Sequence, residues 1–598
     1  DGITIRMRKN ISCPTASRQI RPRSLGPVGP AGKNSTHLNK NRWFPGLSRG
    51  RPTLIAGLLL AACSTTDSLP TVSHAPQADH FESTAMAVAT PEAAVLSAGI
   101  TRISEVYFRP ISLEVMTLDG LNALAALDHK LDFAAEQNWL TVRYDGEIIH
   151  QVTMPLEDQA EGWAQSATLA LDAARRQSTR LAALDHELVL ETMFDAMTDK
   201  LDRFSRYAGA NNGSKERQLR EGFGGVGLAF EHTDNRFVIR SIFPDGPAFH
   251  AGLKTGDEII AIDGEPVTDL KLTDVRDKLR GRVGSFVMVD IRRDGLQIED
   301  LSLLRERVIS NTVVGRIDDK IGVITIERFN AATEAHVRSA IAVIKNRLGD
   351  ELQGVVIDLR NNPGGLLEQA VSVSDLFITR GRIIRTAGRH PESFQSFSAD
   401  DLDILDGAPM VVLINGGSAS AAEVVAAALQ ETGRAVVVGS ASYGKGSVQT
   451  VTRLPNDGEL FVTWSEIFTP EGHGLHEIGI LPNICTSNTV WRKTDDGVLL
   501  NDIVQRAKPT RTIWRNHTKI GELHGLDHQM VVDIAAAGRE ECPPNRSKQD
   551  DDQKIAATLL KSPTLLAEIS GIGTTTIASS PNALQPLANE SAILGDLQ

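Results

Sequence analysis

Asn415-Gly-Gly-Ser-Ala-Ser420-Ala-Ala-Glu423, with Tyr443-Gly-Lys445-Gly-Ser-Val-Gln449 after it, decides the reading of this 598-residue chain. Met410-Val-Val-Leu-Ile414 ahead of it is a short unbroken apolar run, the pattern of a strand buried on both faces. The glycines end that strand, and Ala419 through Leu429, rich in alanine and valine, reads as a helix. Strand, glycine turn and helix make half of a βαβ unit. Its first helical turn exposes unpaired N–H groups, so a hydroxyl placed there lies in a field that favours developing negative charge. Ala435-Val-Val-Val-Gly439 is the next buried strand. Lys445 therefore falls in the loop beyond a carboxyl strand end, where open α/β sheets gather their active residues. The same residues also fit a plain serine N-cap and a surface lysine.

Upstream, Gly354-Val-Val-Ile-Asp-Leu-Arg360 is another buried strand, ending in Asn361-Asn362-Pro363-Gly364-Gly365, with a helix expected over Leu366 to Phe377. Glycines at such a strand end let backbone N–H groups approach a ligand closely, as an oxyanion hole requires. A tight turn into a helix would use the same residues.

Taken in order and spacing, Asp358-Leu-Arg-Asn-Asn-Pro-Gly-Gly365, Gly417-Ser-Ala-Ser-Ala-Ala-Glu423 and Tyr443-Gly-Lys-Gly-Ser-Val-Gln449 resemble the C-terminal processing (tail-specific) peptidases, serine proteases with a Ser–Lys dyad. The resemblance runs from about Leu188 to Ile484. It implies Ser420 as nucleophile, Lys445 as general base and Gln449 as the residue that orients the lysine. It implies an oxyanion hole from the Ala421 N–H and one N–H of the Gly364-Gly365 turn. Glu423 matches an acidic position beside the dyad, and Ser418 is the wrong serine by this register. The chemistry demands a neutral amine. A free lysine, with a pKa near 10.4, is almost wholly charged at neutral pH, so Lys445 must be desolvated to accept a proton.

Glu221-Gly-Phe-Gly-Gly-Val-Gly-Leu-Ala-Phe230, then Phe237-Val-Ile-Arg-Ser-Ile242, Gly246-Pro-Ala-Phe-His-Ala-Gly-Leu-Lys-Thr-Gly-Asp257, Glu258-Ile-Ile-Ala-Ile-Asp-Gly264 and a helix near Lys271 to Leu279 resemble a PDZ domain. Such domains add a peptide to a sheet edge and hold its terminal carboxylate in a glycine-rich loop. The matching positions are Gly225, Val226 and Gly227, with Leu228 and Phe230 as pocket residues. A PDZ module that only braces the catalytic core is the competing reading.

The resemblance implies a multidomain α+β and α/β protein: a crotonase/ClpP-like αβ catalytic core with an inserted PDZ-like β domain, a helical N-terminal region and a C-terminal extension. The expected divisions are a leader over 1–63, a flexible Thr/Ser/Pro-rich tether over 64–95, and a mostly helical region over 96–215. The PDZ domain follows over 216–308, the peptidase core over 309–485, and a partly helical extension with a disordered end over 486–598. A chain of this length is too long for one core.

Residues 1–62 carry 11 Lys/Arg and one acidic residue, a balance of +10 in a chain of net charge −13, so the remainder holds −23. Such a charge split argues against nucleic-acid binding. Arg42, Arg49 and Arg51 precede Leu54-Ile-Ala-Gly-Leu-Leu-Leu60 and then Ala61-Ala62-Cys63, which reads as an export signal. Leu60-Ala-Ala-Cys63 resembles a lipobox, with Cys63 lipidated; Ser64 after it favours the outer membrane of a Gram-negative cell. An ordinary signal peptide with an incidental cysteine is the alternative. The long basic stretch before Arg42 suggests an over-extended translation start. With the leader removed, Cys485 and Cys542 are an even pair that an oxidising compartment could bridge.

No cofactor is expected and no metal constellation stands out. His524 and His528 have Gly525 where a zinc-protease motif needs glutamate. His473 and His476 are the histidines a Ser–His arrangement would use, and Asn483 stands where the family has aspartate. Three function classes follow: a Ser–Lys endopeptidase acting on protein or peptide substrates with accessible C-termini, a catalytically inactive peptide-binding scaffold, and a crotonase-like acyl-CoA enzyme. Membrane contact is expected only through the lipid anchor; an adaptor protein and the oligomeric state are left open.

Overall fold

In the computed structural model the apolar runs form the middle of a six-stranded sheet ordered Val313–Asp318, Ile321–Ile326, Gly354–Asp358, Met410–Ile414, Val436–Gly439 and Ile484–Cys485. The first pair is antiparallel and every later pair parallel. The structure describes residues 90–243, 246–487, 491, 493–494, 497–498, 500–509, 513, 528–548 and 550–571. The leader with Cys63, the tether up to residue 89, His524 and the end beyond residue 571 lie outside the described residues.

Successive strand residues feed opposite layers, as the two-residue period requires. Val355, Ile357, Val412, Ile414 and Val437 pack with Val337, Ile341 and Ile344 of the helix Thr333–Leu348, Val373 of Leu367–Asp375, and Val424 and Leu429 of Ala421–Glu431. Val356, Val411, Leu413, Val436 and Val438 face the other way, onto Ile555, Leu559, Leu566 and Ile569. Those last four belong to the helices Asp550–Leu560 and Pro563–Ser570. The C-terminal extension is thus the second layer on the six-stranded sheet, which a mostly parallel sheet needs on both faces. The helical part of the extension is divided here into two helices, because Pro563 starts a new one.

A second sheet, ordered Gln395–Ser398, Arg382–Ala387, Glu459–Phe468 and Ser447–Arg453, carries Gln449; Arg206–Ala208 also pairs with Glu459–Phe468. The N-terminal region packs four long helices, Pro91–Val106, Leu113–Asn122, Ala160–Gln177 and His186–Asp199, and shares its core with Leu460 and Val462 of that sheet. It also holds an unexpected three-stranded antiparallel sheet, Leu131–Glu136, Trp139–Tyr144 and Glu147–Thr153. Asp145 and Gly146, both at positive φ, make its second turn.

The PDZ-like module is an antiparallel sheet ordered Leu296–Leu304, Phe286–Arg293, Glu258–Ile262, Arg236–Ile242 and Leu228–Thr233. Phe237, Ile239, Ile259, Ile262 and Val289 fill its core with Val275 and Leu279 of the helix Leu272–Leu279. No helix of the described residues is long and apolar enough to cross a membrane.

Candidate active site

Ser420 caps the helix Ala421–Glu431 with φ 55° and ψ −118°. A serine accepts that left-handed backbone only where its surroundings hold it there, and such strain gathers at functional turns. Here the hold is visible. Ser420 N–H donates to Glu423 Oε2 at 2.7 Å. Ala419 N–H donates to Asn362 O at 2.9 Å, and Tyr443 N–H to Ser418 O at 3.0 Å.

Glu423 joins the two halves of the site. It is buried, and besides Ser420 its carboxylate accepts from Lys445 N–H at 2.9 Å, Gly444 N–H at 2.7 Å and Ser442 Oγ at 2.5 Å. Burial pushes its pKa up, while the Ser442 hydroxyl and the three backbone donors pull it down. Because one oxygen, Oε2, accepts from both Ser420 and Lys445, the Ser420 turn and the Lys445 loop are fixed to a common point.

Lys445 Nζ donates to Gln449 Oε1 at 2.9 Å and lies 5.2 Å from the Phe204 ring centroid. Gln449 reaches it from just after a β-bulge at Val448 in the strand Ser447–Arg453, the kind of irregularity that re-aims a side chain. Burial lowers the lysine pKa, and the charge of Arg206 lowers it further; Asp202, Glu423 and Glu216 oppose that fall. No hydrogen bond joins Lys445 Nζ to Ser420 Oγ in this structure.

The two glycines of the upstream turn differ in role. Gly364 N–H donates to Asn362 Oδ1 at 2.8 Å, so it already has a partner inside its own turn. Its φ of +99° and its position, where an added Cβ would sit 2.8 Å from Ser420 Cβ and 3.0 Å from Ala421 N, explain why only glycine fits. Gly365 N–H and Ala421 N–H have no protein acceptor among the described residues, which narrows the expected donor pair to these two. Asn361 and Asn415 lock the turns together: Asn361 N–H donates to Asn415 Oδ1 at 2.8 Å and Asn415 Nδ2 to Asn361 Oδ1 at 3.1 Å. Arg360, buried, forks onto both oxygens of Asp358 and donates to Asp552 Oδ2 at 2.9 Å, which ties the C-terminal layer to this strand end.

Ser418 is a structural serine. Its Oγ accepts from Asn415 N–H at 2.9 Å and donates to Leu359 O at 2.8 Å. His473 is engaged with Glu431, at 2.6 Å. His476 meets the Phe204 ring edge-on at 5.8 Å, and burial lowers its pKa. Asn483 is fully buried and uses both ends of its amide: Oδ1 accepts from Val437 N–H at 2.8 Å and Gln430 Nε2 at 3.0 Å, and Nδ2 donates to Lys508 O at 3.0 Å. An aspartate could not make that last bond. Cys485 and Cys542 form a disulfide, with Cα atoms 5.9 Å apart.

In the PDZ-like module Leu228–Thr233 is an end strand with no partner on its outer edge among the described residues. Leu228 and Phe230 are half-buried on it, and Phe230 packs edge-on against Phe237. Val226 buries its side chain in the module's own core, so its backbone is the part that could serve the expected carboxylate loop. Gly225 pairs with Glu306, and Gly227 turns the chain at φ +72°. Phe204, Asn362 and Ser442 were not singled out from the sequence. Phe204 lies in Asp202-Arg-Phe-Ser-Arg-Tyr207, a motif legible only as the approach to the PDZ module.

The sequence profile of peptidase family S41 matches residues 320–486, and that of the PDZ domain residues 238–293. A carboxy-terminal-processing protease of Bartonella bacilliformis is 38% identical over 312 residues, covering 52% of this chain and 72% of the relative. The chain belongs to peptidase family S41. The S41 chain is accordingly a serine peptidase of the carboxy-terminal-processing group. The processing protease CtpA of Bacillus subtilis is 31% identical over 303 residues, 50% of this chain and 64% of that protein. Among solved structures, a photosystem II D1 C-terminal processing protease aligns over 62% of this chain and 93% of its own, with 25% identity and a TM-score of 0.31. Among the described residues no group of His, Cys, Asp or Glu is arranged to hold a metal.

Proposed function

We propose that this S41 peptidase cleaves exported proteins near their C-termini through an acyl-enzyme on Ser420, with neutral Lys445 as general base. The observation that carries the reading is the shared Glu423 oxygen, which holds the backbone of Ser420 and of Lys445 at once. With its pKa lowered by burial, the amine donates one hydrogen to Gln449 Oε1 and offers its lone pair to the Ser420 hydroxyl. Ser420 Oγ attacks the scissile carbonyl, and the proton passes to Nζ and on to the leaving amine. Ala421 N–H and Gly365 N–H would receive the oxyanion. Water activated by the same amine then hydrolyses the ester. The contact between Nζ and Oγ forms when a peptide closes the site, as catalytic hydrogen bonds of unliganded enzymes commonly do.

Substrate C-termini would add to the free edge of Leu228–Thr233. The layout of helices around a mostly parallel sheet supports a crotonase/ClpP-like core. The basic flank, short apolar run and Cys63 support export and lipid anchoring at the outer membrane of a Gram-negative cell. The test is cleavage of an unfolded protein with an apolar C-terminus. Wild type should cut near that end, while Ser420→Ala and Lys445→Arg should not, since a guanidinium stays protonated. Near-normal cleavage by either variant would refute the dyad, and equal silence from all three would favour the peptide-binding scaffold.

A further inference from the structure

Beyond Cys542 the chain crosses the catalytic turns. Anchored by the disulfide to Cys485, it is held by Ser487 Oγ donating to Pro543 O at 2.5 Å and Gly416 N–H donating to Asn545 O at 2.9 Å. Ser440 Oγ and Asn545 exchange hydrogen bonds at 3.1 and 3.0 Å, and Asn415 Nδ2 donates to Arg546 O at 3.1 Å. Gly416 and Asn415 belong to the nucleophile turn itself. The extension is therefore built onto the site, and its position is set by the residues that set Ser420.

A cavity of about 470 Å³ opens there, lined by Phe204, Asn361, Pro363, Tyr443, Lys445 and Arg546 among others. Arg546 is the extension's own side chain in the wall that holds the catalytic amine. It is exposed and has no ion-pair partner among the described residues. The charges nearby do not supply one. Glu423 is enclosed by four donors. Asp202 is bonded to Phe204 N–H, Ser205 and Thr463. Arg203 stacks 4.6 Å from the Phe204 ring centroid and 5.6 Å from that of Tyr443, and Arg539 donates to Tyr443 O and Glu477 O. Arg203 lies against the two rings and Arg539 against the two carbonyls, and Arg546 is the extension's own guanidinium in this basic rim, with no carboxylate paired to it among the described residues.

We propose that Arg546 is a specificity-determining residue that receives an acidic side chain of the bound peptide near the scissile bond. A planar guanidinium matches a carboxylate with two parallel hydrogen bonds. The residue lies outside the matched family segment, so this preference belongs to the extension. The inference rests on the assignment of Ser420 and Lys445 above.

The experiment uses quenched fluorescent peptides that share one scissile sequence and differ in a single group: free C-terminal acid against amide, and Glu against Gln on either side of the cut. The readout is the ratio of kcat/KM within each pair, which cancels general damage to the enzyme. Wild type should favour the Glu form over the Gln form by about tenfold. Arg546→Ala should bring that ratio to about one, and Arg546→Glu should invert it. The Glu/Gln pair responding supports the proposal, and an Arg546-dependent response confined to the acid/amide pair overturns it. A wild-type ratio of one in every pair, or a ratio that neither variant moves, overturns the proposal. Should wild type cut none of the peptides, the proposed chemistry fails but this inference does not. Anisotropy-measured affinities of Ser420→Ala, with and without Arg546→Ala, then give the same ratios.

Discussion

Lys445 Nζ sits 2.9 Å from Gln449 Oε1, so the amine is oriented by a neutral acceptor rather than by a carboxylate. The choice matters for protonation. A neutral amide fixes the amine without stabilising its charged form as an anion would. Gln449→Glu should therefore raise the lysine pKa and move the ascending limb of the kcat/KM–pH profile to higher pH, with activity at neutral pH falling at least tenfold. Gln449→Ala should lower kcat without that upward move. A Glu variant with an unshifted profile would contradict the orienting role.

The same logic gives a prediction away from the dyad. Burial and the positive charge of Arg206 both lower the Lys445 pKa. The ascending limb of wild type should thus lie below the ordinary lysine value of about 10.4. Arg206→Met removes a charge that disfavours the ammonium, so the limb should move up in pH. A limb that stays in place, or moves down, would count against Lys445 as the titrating base.

Glu423 makes four hydrogen bonds to two separate segments, the Ser420 turn and the loop from Ser442 to Lys445. Glu423→Gln presents an NH₂ group to donors and leaves some of them unsatisfied, each at a cost of about 1–3 kcal/mol. Lower thermal stability and a fall in kcat larger than any change in KM are expected, measured by calorimetry and steady-state kinetics. Wild-type stability with lost activity would instead point to a direct chemical role.

The extension should be indispensable to the core. Leu559 is fully buried against the sheet, and Leu559→Ala should cost about 2–5 kcal/mol in denaturant titrations. The Cys485–Cys542 bond closes a separation of 57 residues, for which chain entropy gives roughly 4 kcal/mol. Reduction should lower the melting temperature and peptidase activity together, because Asn545 and Arg546 are released from the catalytic turns. Activity untouched by full reduction would show that the bridge does not support the site.

Much of this was legible in the chain because its signals are local. The runs at Val355, Val411 and Val436 are continuous and apolar, and the glycine turns follow them directly. The hairpin at Asp145-Gly146 carried its own turn signal but lay between alanine-rich helices whose periodicity dominated the region. What was not legible is what converges from afar. The donors to Glu423 include Ser442 and Gly444, about twenty residues on, and Arg546 reaches the site only through a disulfide and a returning chain. No spacing rule announces such contacts. The side chain of Val226 packs into the core of the PDZ-like module, which a Gly-Gly-Val-Gly loop does not announce.

The central claim is that Ser420 carries the acyl group. An activated peptide ester should be mixed with the enzyme below the lysine pKa, where deacylation is slow, and the modified residue mapped by intact and peptide mass spectrometry. The account predicts one acyl group on Ser420, retained in Ser418→Ala and absent from Ser420→Ala. Acylation of another residue, or undiminished acylation of Ser420→Ala, would contradict it.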